Sequence, residues 1–274
     1  MGLKSRIIPI ILHRGAQAIK GKRFDGWRSV GSVVNAIRVH ARRGVDECVL
    51  LDIGATPEGR GPDFDLIRQL AGELLSPLTI GGGISTTDHF REALRSGADK
   101  VCIRSAVFTD PELINRAAER FGRQAVVVAL DVCGEVEVAP IGTGAKLFDP
   151  GVGPFIPRPL AVQFAKHCEM LGAGELLVTS VSRDGCLCGY DLGLIREVSE
   201  AVGIPVVAAG GAGSYEDLHQ GILHGAHAVA AGALWQFCDC TPVEAAEYLR
   251  DRGIPVRLDR DIQGNAWGES HQII

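Results

Sequence analysis

The sequence predicts a closed (β/α)8 barrel of two fused half-barrels. Short apolar runs alternate with amphipathic stretches along the whole chain, the runs number eight, and three features recur at one fixed offset. The strand candidates are residues 7–12, 48–53, 78–81, 101–103, 125–131, 176–180, 205–209 and 228–232. Each is a continuous apolar run, the pattern of a parallel strand covered on both faces. Between them, residues 65–75, 88–96, 111–121, 160–171 and 192–202 carry helical spacing. Eight strands alternating with helices favour closure into a TIM-type barrel over an open doubly wound sheet. The 274 residues suit one such barrel, for which about 250 is typical.

The repeat is internal. Gly44-Val45-Asp46-Glu47 recurs as Gly172-Ala173-Gly174-Glu175, Gly82-Gly83 as Gly210-Gly211, and Gly97-Ala98 as Gly225-Ala226, each at an offset of 128. A duplicated four-unit half-barrel is expected, with halves of about 4–124 and 125–257 in one barrel over residues 1–257. The period is far longer than that of a stacked solenoid. Residues 258–274 read as a polar extension. Residues 13–31 and 132–157 read as long loops after the first and fifth strands, where barrel active sites are built and lids belong.

Composition narrows the function. A net charge of −5 leaves no electrostatic footprint for nucleic acid or an anionic membrane. No apolar run reaches 18 residues and the N-terminus has no signal-peptide pattern, so a cytoplasmic protein is expected. Eight scattered cysteines fit reduced thiols. Cys186/Cys188 and Cys238/Cys240 lack zinc-knuckle spacing, and neither metal nor cofactor is expected.

The chemistry should lie where glycines follow strands. Gly81-Gly82-Gly83 ends the third strand and Gly210-Gly211 the seventh, each leading into a helix whose first N–H groups favour an anion. Ala231-Gly232 after the eighth strand could complete the second cradle, and Arg104-Ser105 is its counterpart in the first half. Two cradles at related positions point to a small ligand with a phosphate at each end. Glycines serving turn geometry alone are the alternative.

Several runs carry a resemblance: Arg6-Ile7-Ile8-Pro9, Leu51-Asp52-Ile53, Leu78-Thr79-Ile80-Gly81-Gly82-Gly83-Ile84, Gly97-Ala98-Asp99-Lys100-Val101, Leu171-Gly172-Ala173-Gly174-Glu175, Arg183-Asp184-Gly185, Gly189-Tyr190-Asp191 and Gly253-Ile254-Pro255-Val256-Arg257. Together these closely resemble the HisF-like cyclase subunit of imidazole glycerol phosphate synthase over roughly residues 4–257. The resemblance implies a glutaminase partner at the N-terminal barrel face. Ammonia from that partner would enter through a charged ring at Arg6, Glu47, Lys100 and Glu175, each just before a strand. The ring sums to zero charge, so it also fits a purely stabilising plug. Asp99 resembles the family's partner-contacting acid. Lys20 matches a loop lysine of the ligand site, though it also reads as a solvated surface lysine. Asp52, Asp184 and Gly185 match positions around the substrate, and Asp184 reads equally as a turn former.

The family cyclises with two aspartates at the ends of the first and fifth strands. Asp131 matches one; the other position carries Leu12, which cannot transfer a proton. His13 could substitute only if the first strand ended early, because neighbours on a strand face opposite ways. Ser182 also stands where many relatives carry an acid. An apolar first strand is similar to that of HisF-like paralogs of surface-polysaccharide gene clusters. The expectation is therefore an ammonia-channelling barrel in acetamidino-sugar modification, with a sugar amidotransferase as a further partner. The histidine-biosynthesis cyclase is the alternative. A non-catalytic scaffold that activates its glutaminase and a phosphosugar isomerase are weaker readings.

Overall fold

The computed structural model describes residues 4–134 and 155–257. Eleven strands form one sheet among them: β1 (Arg6–Arg14), β2 (Gln17–Lys22), β3 (Asp25–Ser32), β4 (Cys48–Asp52), β5 (Leu78–Gly81), β6 (Lys100–Ile103), β7 (Val126–Cys133), β8 (Ile156–Pro157), β9 (Glu175–Ser180), β10 (Val206–Ala209) and β11 (Ala228–Ala231). Eight form a parallel ring in the order β1, β4, β5, β6, β7, β9, β10, β11, and the short β8 pairs with β7 beside it. The ring closes where β11 pairs with β1, from Arg6 opposite Ala228 to Pro9 opposite Ala231. The fold is a (β/α)8 barrel.

The helices are α1 (Val33–Arg42), α2 (Phe64–Ala71), α3 (Thr87–Arg95), α4 (Ala106–Thr109), α5 (Glu112–Phe121), α6 (Ala161–Met170), α7 (Leu192–Ala201), α8 (Tyr215–Leu223), α9 (Ala233–Phe237) and α10 (Pro242–Asp251). The five expected helices form, with α2 ending at Ala71 instead of running on to residue 75. None is long and apolar enough to cross a membrane.

Strand alternation divides the core in two. Along β7, Val126, Val128 and Leu130 join the layer between sheet and helices, while Val127 and Ala129 point into the barrel. The interior is filled by compact aliphatic side chains, among them Ile8, Val49, Leu177, Val207 and Ala230. The outer layer is larger and includes fully buried Phe90, which stacks on Phe121 at 6.1 Å. This alternation decides which residue at each strand end faces the mouth.

One expectation needs correction. Residues 13–31 are not an irregular loop: β1 runs on to Arg14, and β2 and β3 form an antiparallel hairpin against it. Ala18 and Ile19 are buried at its root, while nearly all of β3 is exposed, so its polar composition concealed a strand. Gly21 lies close under Gly185, whose added Cβ would meet the Gly21 carbonyl oxygen at 2.2 Å, and Arg23 N donates to Asp184 O at 2.8 Å. The hairpin therefore rests on the loop after β9. Of the second expected lid, residues 135–154 lie outside the described residues, as does the extension at 258–274.

Candidate functional site

At the N-terminal end, Arg6, Glu47, Lys100 and Glu175 meet on the barrel axis. Arg6 donates to Glu47 Oε2 at 2.7 Å and is ion-paired with Glu175. Lys100 Nζ bridges the same carboxylates at 2.9 and 2.8 Å. The result is a closed ring of alternating charge, and Thr79 Oγ1 donates to Glu47 Oε1 at 2.7 Å. The carboxylates are nearly buried, which alone would disfavour their charge. For Glu175, burial pushes the pKa up, but the hydrogen bonds and charges of Arg6 and Lys100 outweigh it and leave the pKa lowered. Beside the ring opens a cavity of about 460 Å³ that includes Lys4, Gln124 and His227 in its wall. Asp99 caps the start of β5 by accepting from Leu78 N at 2.8 Å.

At the C-terminal end the two glycine turns are built alike. Thr86 caps α3 by accepting from His89 N at 3.1 Å, and Ser214, at the 128 offset, caps α8 by accepting from Asp217 N at 3.2 Å. Gly82 and Gly211 both have positive φ, at 106° and 118°. A Cβ on either would strike backbone oxygen, Asp52 O at 2.3 Å or Gly189 O at 2.2 Å. Gly83 and Gly210 are similarly pressed against Arg60 O and Ser180 O. The glycines thus satisfy a turn requirement in either reading, and the capacity for anions rests on the helix starts. One N–H is already used in each: Ser85 N by His89 Nδ1 at 3.3 Å, Gly213 N by Asp217 Oδ2 at 2.9 Å.

Between the cradles lies the mouth. Asp131 shares the inward face of β7 with Val127 and Ala129 and is ion-paired with Arg104. Arg104 follows Lys100 and Cys102 on the inward face of β6. Its guanidinium lies 5.8 Å from the Phe24 ring of the hairpin and 5.3 Å from the Phe155 ring. Burial pushes the Asp131 pKa up, opposed by Arg104 and by a hydrogen bond from Thr179. Leu12 shares the face of Ile8 and Ile10 on β1, on the opposite wall.

Position 128 residues beyond Arg104 is Gly232, and each directly follows its strand, β6 or β11. Where a Gly232 side chain would begin, Lys20 reaches in from the hairpin: an added Cβ would lie 2.5 Å from its Nζ. Lys20 Nζ donates to Ile10 O at 3.2 Å. Burial lowers its pKa to about 8, partly offset by Asp184, while burial raises Asp184 to about 6. The mouth wall thus carries two cations, Arg104 and Lys20, each with one carboxylate nearby, Asp131 or Asp184. Ser105 begins α4 beside Arg104, and Ala231 ends β11 beside Gly232.

One expected site residue sits elsewhere. Asp52 shares the outward face of Leu50, not the inward face of Leu51. It accepts from Gly54 N at 2.9 Å and pairs with Arg60 at 2.8 Å, so it shapes the turn after β4. His13 cannot replace Leu12, because the strand continues past it. Its ring is buried on the other face with Nδ1 2.9 Å from Gly15 O. Ser182 stays near Ser180, their hydroxyls 3.4 Å apart. Among the described residues no cluster of three or more His, Cys, Asp or Glu could hold a metal.

Sequence reasoning missed the Arg104–Asp131 pair, Thr179 and the Phe24/Phe155 cover. The first two were accessible from alternation, since Arg104 is four residues past Lys100 and Thr179 four past Glu175. Nothing in sequence spacing brings Phe24 and Phe155 within 5.7 Å.

Fold and site define a ligand-binding (β/α)8 barrel with a charged base and a polar mouth. Residues 6–237 match the family model described as histidine biosynthesis protein. The chain is 43% identical over 258 residues to imidazole glycerol phosphate synthase subunit HisF of Chlorobium limicola, covering 93% of this chain and 100% of the relative. It is 42% identical over 257 residues to that subunit of Chlorobaculum parvum and 41% over 259 to that of Chlorobium phaeobacteroides, with the same coverage. This chain belongs to the histidine biosynthesis protein family and is similar over nearly its whole length to HisF subunits.

Proposed function

We propose that this chain is the ammonia-accepting cyclase subunit of an imidazole glycerol phosphate synthase-type assembly, with a glutaminase docked at its N-terminal face. The observation that carries this reading is the closed Arg6–Glu47–Lys100–Glu175 ring, with an apolar interior directly above it. Neutral ammonia crosses such an interior easily, whereas ammonium would lose its hydration there. The ring must open for passage. At the mouth, the two helix starts hold a phosphate at each end of the ligand and stretch its reacting centre across the axis.

The relatives' names fit the histidine pathway, the reading placed second from sequence, and none of the three speaks for sugar modification. Acetamidino-sugar chemistry therefore becomes the second reading. Leu12 favours it, with Asp131 bound to Arg104, because an ordinary two-carboxylate pair is missing. The test supplies purified chain with ammonium salt and the bisphosphate ribulosyl aminoimidazole intermediate and follows its loss. Turnover at neutral to alkaline pH is expected. Ligand binding without turnover, with turnover appearing in Leu12→Asp, would reject the cyclase reading in favour of a different acceptor.

A further inference from the structure

Three of the four polar groups around the mouth come from barrel strands or the loop after β9; the fourth, Lys20, is delivered by the hairpin. Its position is unusual for a lysine on a surface strand. The side chain passes over β1, and its ammonium lies deep in the mouth between the β1 wall and the start of α9. Ile10, whose carbonyl it reaches, shares the inward face with Leu12, one residue pair or about 7 Å further along the strand. Of the three N–H donors of the ammonium, one has a protein acceptor among the described residues, and no carboxylate there is ion-paired with it. A buried ammonium with open donors is costly unless a ligand completes it.

Lys20 Nζ reaches the β1 wall at Ile10 O, and β7, which carries Asp131, stands four strands away in the ring of eight, on the opposite wall. From this geometry we infer that Lys20 takes the proton-transfer place left empty at Leu12, giving a lysine–aspartate pair where two carboxylates would otherwise work. The inference rests on the ammonia-accepting reading above. When ammonia adds to a ligand carbonyl, the new C–N bond forms as the C=O π pair moves to oxygen. Lys20 ammonium gives that oxygen a proton, and the Asp131 carboxylate takes one from the added nitrogen. In the loss of water the two groups exchange acid and base roles: Asp131 protonates the departing hydroxyl, and the neutral Lys20 amine removes a proton from nitrogen. Both groups are thereby reset. Besides burial, the charge acting on Lys20 is Asp184 from the loop after β9; the His40 ring of α1 lies near it, and exposed Arg28 stands opposite it on β3.

The test uses the full chain with the bisphosphate intermediate, at a fixed concentration of free ammonia across pH. Binding is followed by calorimetry alongside turnover. Wild-type kcat should fall as pH rises through about 8, where the ammonium is lost. Lys20→Arg keeps a cation that does not titrate there. It should bind the ligand about as well as wild type, lose on the order of 10²-fold in kcat and lack that limb. Adding Leu12→Asp to Lys20→Met should restore part of the loss. A Lys20→Arg variant with wild-type kcat and pH profile overturns the inference and leaves the cyclase reading intact. A wild-type chain that binds the ligand without turning it over overturns both.

Discussion

Arg104 is ion-paired with Asp131 at the barrel mouth, so the one carboxylate matching the family's catalytic pair is held by a cation from the neighbouring strand. Asp131 is nearly buried, and the half-buried Arg104 lies beside the Phe24 and Phe155 rings. Arg104→Asn would leave the Asp131 charge uncompensated, at a cost of about 3–5 kcal/mol. Burial already raises the Asp131 pKa, and losing Arg104 raises it further. Protonation then relieves the penalty, so urea unfolding should show a larger loss at pH 8 than at pH 5. Equal losses at both values would mean that Asp131 is not the charge left stranded.

Glu175 behaves with the opposite sign. Its folded pKa lies below the ordinary 4.5, so its contribution to stability is present above that value and lost as pH falls through the lowered one. Glu175→Gln should cost about 3 kcal/mol at pH 7, by leaving Arg6 and Lys100 to share Glu47. The difference between variant and wild type should shrink as pH falls below the ordinary 4.5. Unfolding at pH 7 and at pH 3 checks both statements.

Asp184 has a folded pKa raised to about 6 by burial, against an ordinary 3.8. Its ionisation destabilises the fold as pH rises from about 4 to above 6. Asp184→Asn should therefore stabilise the chain at pH 8 and change little at pH 4. The Lys20 pKa should fall further in the same variant, because Asp184 is the charge that supports it. Thermal unfolding at both pH values, with an NMR titration of labelled lysine, reads the two effects.

The two cradles can be separated by glycine substitution. Gly211→Ala drives a Cβ to 2.2 Å from Gly189 O at a φ of 118°, and should cost about 1–3 kcal/mol and one phosphate site. Gly82→Ala should do the same at the other cradle. Gly15→Ala is the control: its φ is 54°, but its Cβ meets nothing within 4 Å, so about 1 kcal/mol and no change in phosphate binding is expected. Calorimetry with inorganic phosphate, expected to find two sites in the wild type, measures the loss.

The sequence by itself determined the eight-strand barrel, the family resemblance and the ring residues. The barrel is carried by local information, apolar runs of strand length and one repeated offset, and the ring residues by the family resemblance of the runs that contain them. Alternation along β1 also made Leu12 legible as an inward residue, since a period of two needs no knowledge of neighbours. The tertiary structure alone decided what faces those positions. It turned the polar stretch at 13–31 into a hairpin, carried Lys20 to the symmetry mate of Arg104, and turned Asp52 away from the mouth. The physical reason is that ion pairs and desolvation depend on distances across the barrel, between residues such as Lys20 and Gly232 that are far apart in the chain. Closure of β11 onto β1 creates those distances, and no local pattern records them.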